Sequence, residues 1–259
     1  MVFSWWRRRR RTRIVAEPFP GEWEEIVRRN VSQFAELTES QQERLRRWVQ
    51  VFVAEKYWEG CRGLETTDEV KVTIAAQAGR LVLGMENEYF ERVMTVLVYP
   101  SDYYAQERRP GPAGTVIEGP DHRLGEAWHQ GPVILSWPSV LAAGRQRNRG
   151  QNVVLHEFAH VLDMMDHDID GVPPLDSPEQ YRTWDEVMRV EYERLVRRAE
   201  QGRPTLLDHY GAVDEAEFFA VATECFFERG VELAERHPQL YEILRGFYRQ
   251  DPAARLVTG

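Results

Sequence analysis

Residues 156–160 of this chain read His-Glu-Phe-Ala-His. On a helix, positions i and i+4 share one face about 6 Å apart. Two imidazoles placed in this way converge on a single metal ion at roughly 2.0–2.1 Å. Glu157, next to the first imidazole, then lies beside the open coordination position. There a carboxylate takes a proton from water whose pKa the metal has lowered towards about 7. Metal, water and base are the minimum equipment for hydrolysing an amide.

Two histidines do not close such a site, because catalytic zinc takes three protein ligands and keeps one position for water. Asp166, ten residues after His156, serves only if the chain breaks sharply near Asp163, a position without glycine. Glu217 and Glu224 are the other candidates, on a second helix. They stand two turns apart, about 10 Å along the axis, so one ion cannot take both. Glu217 also has a competing use, since Asp214 three residues earlier makes it the far half of a capping box. Asp163 reads either as the acceptor for the second N–H of His160 or as an exposed helix charge.

The flanks say what must hold these groups. Val153-Val154-Leu155, Phe158-Ala159 and Val161-Leu162 leave a helix apolar on nearly every side but the histidine one. Such a helix is buried. Burying two histidines and a glutamate without partners is costly, and a metal supplies partners. The pattern predicts this helix over about Gln151–Asp166, then a loop from His167 to Asp176. Ser177, Pro178 and Gln180 start another helix running to about Glu200, with Trp184, Met188 and Leu195 on its apolar side. Further helices are expected over Asp214–Glu228 and from Pro238. Upstream, Thr38 with Gln41 and Thr66 with Glu69 mark helix starts, the second leading into Val70–Leu83. Strands are expected at Val93–Tyr99 and Gly131–Trp137, with a loop around Pro110–Gly114 between them. Gly131–Trp137 reads either as an edge that pairs with extended substrate or as an ordinary sheet strand.

Charge sorts the remaining possibilities. The 259 residues carry net charge −9, yet six arginines fall within the first thirteen, leaving −15 on the rest. A body that acidic is a poor nucleic-acid binder. No uncharged apolar run approaches the ~18 residues of a membrane helix. Ile14-Val15-Ala16-Glu17-Pro18 supplies no apolar signal-peptide segment after the arginines. Two cysteines, Cys61 and Cys225, make no disulfide framework, so a reducing, cytoplasmic setting is expected. Residues 1–16 read as a flexible basic arm able to contact acidic surfaces. Residues 17–259 read as one unit, helical to about 92 and carrying the metal site from about 93.

Taken together, the motifs have a familiar order. His156-Glu-Phe-Ala-His-Val-Leu-Asp163, Asp170-Gly-Val-Pro173, Asp208-His-Tyr210 and Ala216-Glu-Phe-Phe-Ala-Val221 resemble the Mlc titration factor A family of zinc peptidases. Gln130-Gly-Pro132 and Phe247-Tyr-Arg-Gln-Asp-Pro252 extend that resemblance over roughly residues 20–255, leaving the arm outside it. The resemblance implies an α+β, zincin-like fold of gluzincin type, similar to the catalytic domain of anthrax lethal factor. It implies one Zn2+ per chain held by His156, His160 and Glu217, with Glu157 as catalytic base and Tyr210 as a phenol near the metal. It also implies aminopeptidase-like activity on small peptides. Because the family's namesake binds the Mlc repressor, a second expectation is a regulatory protein that sequesters a transcriptional repressor.

Overall fold

Capping side chains set the helix boundaries that matter most for the site. The structure is a computed structural model describing residues 2–85, 88–101, 109–110, 116–117, 131–146 and 150–255. Its first half holds α1 (Val2–Ala16), α2 (Gly21–Asn30), α3 (Glu39–Glu55), β1 (Tyr57–Gly60), α4 (Asp68–Leu81) and β2 (Thr95–Tyr99). After them come the short β3 (Arg109–Pro110) and β4 (Val116–Ile117), then β5 (Val133–Ser136), α5 (Trp137–Arg145) and α6 (Val153–Asp163). The chain continues through α7 (Pro178–Glu200), α8 (Glu215–Glu228), α9 (Gly230–Arg236), α10 (Pro238–Tyr248) and α11 (Pro252–Arg255). Thr38 opens α3 with both halves of the expected capping box, its hydroxyl accepting from Gln41 N and its N–H donating to Gln41 Oε1. The start of α4 falls one residue later than expected. Thr67 caps it, accepting from Val70 N, because either neighbouring threonine has the right chemistry.

Three strands form a parallel sheet in the order β1-β2-β5. Val96 pairs with Val133 and Val98 with Leu135, and all four side chains are buried on the same face. Burial of that face fixes the register, since a one-residue slip would turn it to solvent. Strand β1 was not anticipated: Tyr-Trp-Glu-Gly has no apolar run, and only its pairing with Thr95–Val98 defines it. The expected strand to Trp137 stops at Ser136, where Pro138 in the first turn of α5 starts a helix. The chain thus combines many helices with one small parallel sheet. The expected loop residues 111–114, together with His129 and Gln130, lie outside the described residues.

Helix α4 is the centre of the core, buried along Val70, Val72–Leu81. Gly79 lets it pass under α3, since a Cβ there would stand 2.6 Å from Leu45 Cδ1 and 2.7 Å from Trp48 Cε3. Aromatic packing then ties the helical half to the histidine helix. Phe158 of α6 meets Phe52 at 5.7 Å and Phe90 at 4.7 Å, edge to face in both cases. The N-terminal helices therefore act as the wall against which α6 is set.

The basic segment read as a flexible arm is instead helical, as α1, and lies against α3. Arg11 makes a two-pronged contact with Glu55 at 2.9 and 2.7 Å, reaches Glu91 at 3.1 Å and stacks on Tyr89. Arg10 donates to the Ala54 carbonyl at the C-terminal end of α3, and Arg7 pairs with Glu91. Acidic side chains and a helix C-terminus neutralise arginines that would otherwise repel one another. Among the described residues no helix is long and apolar enough to cross a membrane. Both cysteines are free thiols.

Candidate metal centre

The site lies where α6 packs on α8, and each helix is positioned by its cap. Asn152 accepts from Val154 N and Leu155 N, both at 3.1 Å, fixing the first turn of α6. Asp214 accepts from Glu217 N at 2.8 Å, fixing that of α8. The capping role therefore falls to the Glu217 backbone, while its carboxylate turns to the histidines. Every residue of α8 from Ala216 to Glu228 is buried.

Ligand atoms of His156, His160 and Glu217 all come within 4.8 Å of one another. The two Nε2 atoms are 3.2 Å apart, and Glu217 approaches them at 3.0 Å (His156) and 3.6 Å (His160). A tetrahedral ion with bonds of roughly 2.0–2.1 Å has ligand-to-ligand edges of about 3.3 Å. The observed triangle brackets that value, so two imidazoles and a carboxylate fit such an ion.

Behind this triangle lies a chain of buried polar contacts. His156 Nδ1 lies 2.8 Å from Glu224 Oε1, and Glu224 also accepts from the Asn152 backbone N–H. The Asn152 side-chain amide donates at 3.2 Å to Glu228, which pairs with Arg80 at 3.0 Å and accepts from Gln33 at 2.7 Å. Burial lowers the pKa of His156, but the Glu217 and Glu224 carboxylates outweigh it and raise it well above the usual histidine value. Burial likewise pushes the Glu224 carboxyl upwards, against its contact with His156. His156 is thus held from both ring nitrogens, one towards the triangle and one away from it.

Glu157 sits part-buried on α6, and its charge is felt by both His156 and Tyr210. Tyr210 comes from a 3-10 turn, His209–Ala212, capped by Asp208. Its ring lies 5.9 Å from that of His156, and its hydroxyl is hydrogen-bonded to Glu217. Burial, then the Glu217 and Glu157 charges, push this phenol upwards, so it stays protonated and able to donate. Asp166 does not join the triangle. Helix α6 ends at Asp163, a 3-10 turn covers Met164–Asp166, and Asp166 is exposed, accepting from Asp168 N. Glu224 does not reach the ion position either, being turned to the far side of His156.

Asp163 is fully buried, which removes its reading as an exposed charge. Its Oδ2 accepts at 3.0 Å from Gly171 N, and Gly171 O accepts from Trp184 Nε1 at 3.0 Å. Gly171 adopts φ +76°, and a Cβ there would stand 2.4 Å from Glu215 O at the start of α8. The loop after α6 is therefore clamped onto α8. His167 contacts Arg92, and His209 bonds the Arg203 carbonyl, so neither enters the triangle.

Comparison with known proteins agrees with this geometry. The family model for glucose-regulated metallo-peptidase M90 matches residues 3–249. An uncharacterized protein of Synechocystis is 38% identical over 249 residues, covering 95% of this chain and 90% of that one. Mlc titration factor A of Serratia proteamaculans is 32% identical, covering 75% and 74% of the two chains. That of Yersinia pestis is 30% identical, covering 91% and 87%. The family match begins at residue 3 and so includes the basic segment that the motif resemblance left out. With the match spanning nearly the whole length and containing all three residues of the triangle, the chain belongs to the glucose-regulated metallo-peptidase M90 family.

Proposed function

We propose that the protein is a zinc-dependent peptidase of gluzincin type, with His156, His160 and Glu217 holding one Zn2+. The observation that carries this is the convergence of those three donors beside a carboxylate, Glu157, on the same helix. Zinc bound there supplies Lewis acidity, polarising the scissile carbonyl and lowering the pKa of water. Glu157 accepts the proton of the attacking water at its carboxylate and later delivers it to the leaving amine nitrogen. The Tyr210 hydroxyl, kept protonated by its surroundings, donates to the oxygen that gains charge. Strand β5 is an edge of the sheet among the described residues, beside α6, and offers main-chain pairing to an extended peptide. Small peptides with a free N-terminus are the substrates this reading favours, and a zincin-like fold is the architecture it assumes. The two free thiols suit a cytoplasmic setting.

The decisive experiment is Glu157→Gln measured against the zinc-loaded wild type. The amide keeps the side chain's size but accepts no proton. Zinc content should stay near one per chain while peptide hydrolysis falls by about 10²–10⁴. Wild-type turnover in the purified variant would overturn the mechanism.

The name of the Serratia and Yersinia relatives, Mlc titration factor A, favours a second reading, in which the protein titrates a repressor of the Mlc type. Hydrolysis and sequestration separate in the same variant. A repressor held equally well by Glu157→Gln, with no peptide cleaved by the wild type, would make binding the function.

A further inference from the structure

Helix α1 uses only one side against the body. At 3.6 residues per turn, Arg7, Arg10, Arg11 and Ile14 fall within an arc of about 100°. Three of these are the arginines that grip Glu55, Glu91 and the Ala54 carbonyl. Trp5, Arg9, Arg13 and Trp6 occupy an arc of about the same width on the other side, with Arg8 midway between the two arcs. All five are exposed, the tryptophans at 51% and 60%. No ion pair joins Arg8, Arg9 or Arg13 to the described residues, whereas Arg7 and Arg11 pair with Glu55 and Glu91 and Arg10 is held by the Ala54 carbonyl. Two indoles in water beside three arginines without an ion pair among the described residues, on a chain whose other residues carry −15, are poorly explained by folding alone.

We infer that the outward face of α1 docks the protein on an anionic phospholipid surface. Indole rings favour the headgroup level of a bilayer, and basic side chains are drawn to its negative surface potential. A nucleic acid would satisfy the arginines but suits the tryptophans less. The Arg9 guanidinium lies 5.1 Å from the Trp5 ring centre, over the face a base would stack on. The two indoles meet edge to face at 83°, so they offer no pair of parallel platforms. An extended polyanion would also run along the acidic body, whereas a bilayer touches only the exposed side of one helix.

The test is sedimentation of the full chain with vesicles of phosphatidylcholine containing 30% phosphatidylglycerol, against pure phosphatidylcholine. Partition onto the anionic vesicles is expected, weakened by salt. Replacing Arg8, Arg9 and Arg13 by Gln together should lower it on the order of a hundredfold, each arginine contributing about fivefold. Trp5→Ala with Trp6→Ala should lower it as well, with helix content by circular dichroism unchanged. The docked contacts of Arg7, Arg10 and Arg11 stay intact in both variants, so loss of folding does not mimic the result. Equal sedimentation with both vesicle types, unchanged partition in the variants, or retention of single-stranded RNA without vesicle binding would each overturn the inference. None of these readouts depends on peptide cleavage.

Discussion

His156 and Glu224 face each other at 2.8 Å through Nδ1 and Oε1, on the side of the imidazole away from the ligand triangle. A carboxylate there favours the tautomer with the proton on Nδ1, which leaves the Nε2 lone pair directed at the ion position. The same carboxylate accepts the Asn152 backbone N–H, so ring orientation and the start of α6 are set by one residue of α8. Glu217 lies seven residues before it on that helix, and the two carboxylates hold opposite sides of one histidine.

Glu224→Gln should therefore weaken metal binding without removing it. Loss of such a supporting partner costs about 10–100-fold in affinity. Competition with a fluorescent chelator measures this directly. An affinity equal to wild type would show that His156 needs no orienting partner.

Glu217→Ala should act more severely, because two imidazoles alone leave the ion short of a charge and a ligand. Zinc content after dialysis should fall far below one per chain, and peptide cleavage should vanish. Asp166→Ala should keep both, since Asp166 lies on an exposed turn. Metal analysis of the two variants side by side decides between them, and loss of zinc from Asp166→Ala alone would reverse the assignment.

Much of this site is written locally in the chain. The 156–160 motif, the apolar flanks of α6 and the caps at Ser177 and Asp214 depend on neighbours in sequence, and the helices begin within a residue or two of where those signals fall. Other features depend on partners far along the chain. Strand β1 exists through its pairing with β2, nearly forty residues on. Glu224 looked like a rival ligand because spacing along one helix does not reveal which side of His156 it meets. The arginine run looked unstructured because Glu55 and Glu91, its partners, are dispersed in the sequence. An exposed charge stayed open as one of two readings of Asp163 for the same reason: Gly171 folds back over it only when the loop is clamped to α8.

The support chain ends at Arg80 and Glu228, an ion pair whose side chains are 1% and 2% exposed. Arg80→Ala leaves the Glu228 carboxylate buried with only the Gln33 and Asn152 amides. Breaking a buried pair from one side costs about 3–5 kcal/mol. Urea unfolding should show that loss, while Arg80→Met combined with Glu228→Gln should recover part of it. Stability within 1 kcal/mol of wild type for Arg80→Ala would mean that water reaches Glu228.

Asp163 gives the fold a pH dependence of definite sign. Burial raises its carboxyl to about 7 from the ordinary 3.8, against the opposing Gly171 N–H. Between those two values the folded state binds a proton that the unfolded chain has released. Stability therefore falls as pH rises through this window, the reverse of the usual salt-bridged aspartate. Asp163→Asn removes the ionisation and keeps an oxygen that can accept from Gly171 N. In metal-free protein the advantage of the variant over wild type should widen by roughly 2–3 kcal/mol from pH 5 to pH 8, at 1.36 kcal/mol per pH unit. Urea unfolding of both proteins at the two pH values measures that difference. Working without metal matters, because a cation next to His160 would favour the ionised aspartate and shrink the effect. A constant difference at both pH values would mean that Asp163 is already ionised at pH 5, with Gly171 and His160 compensating its burial.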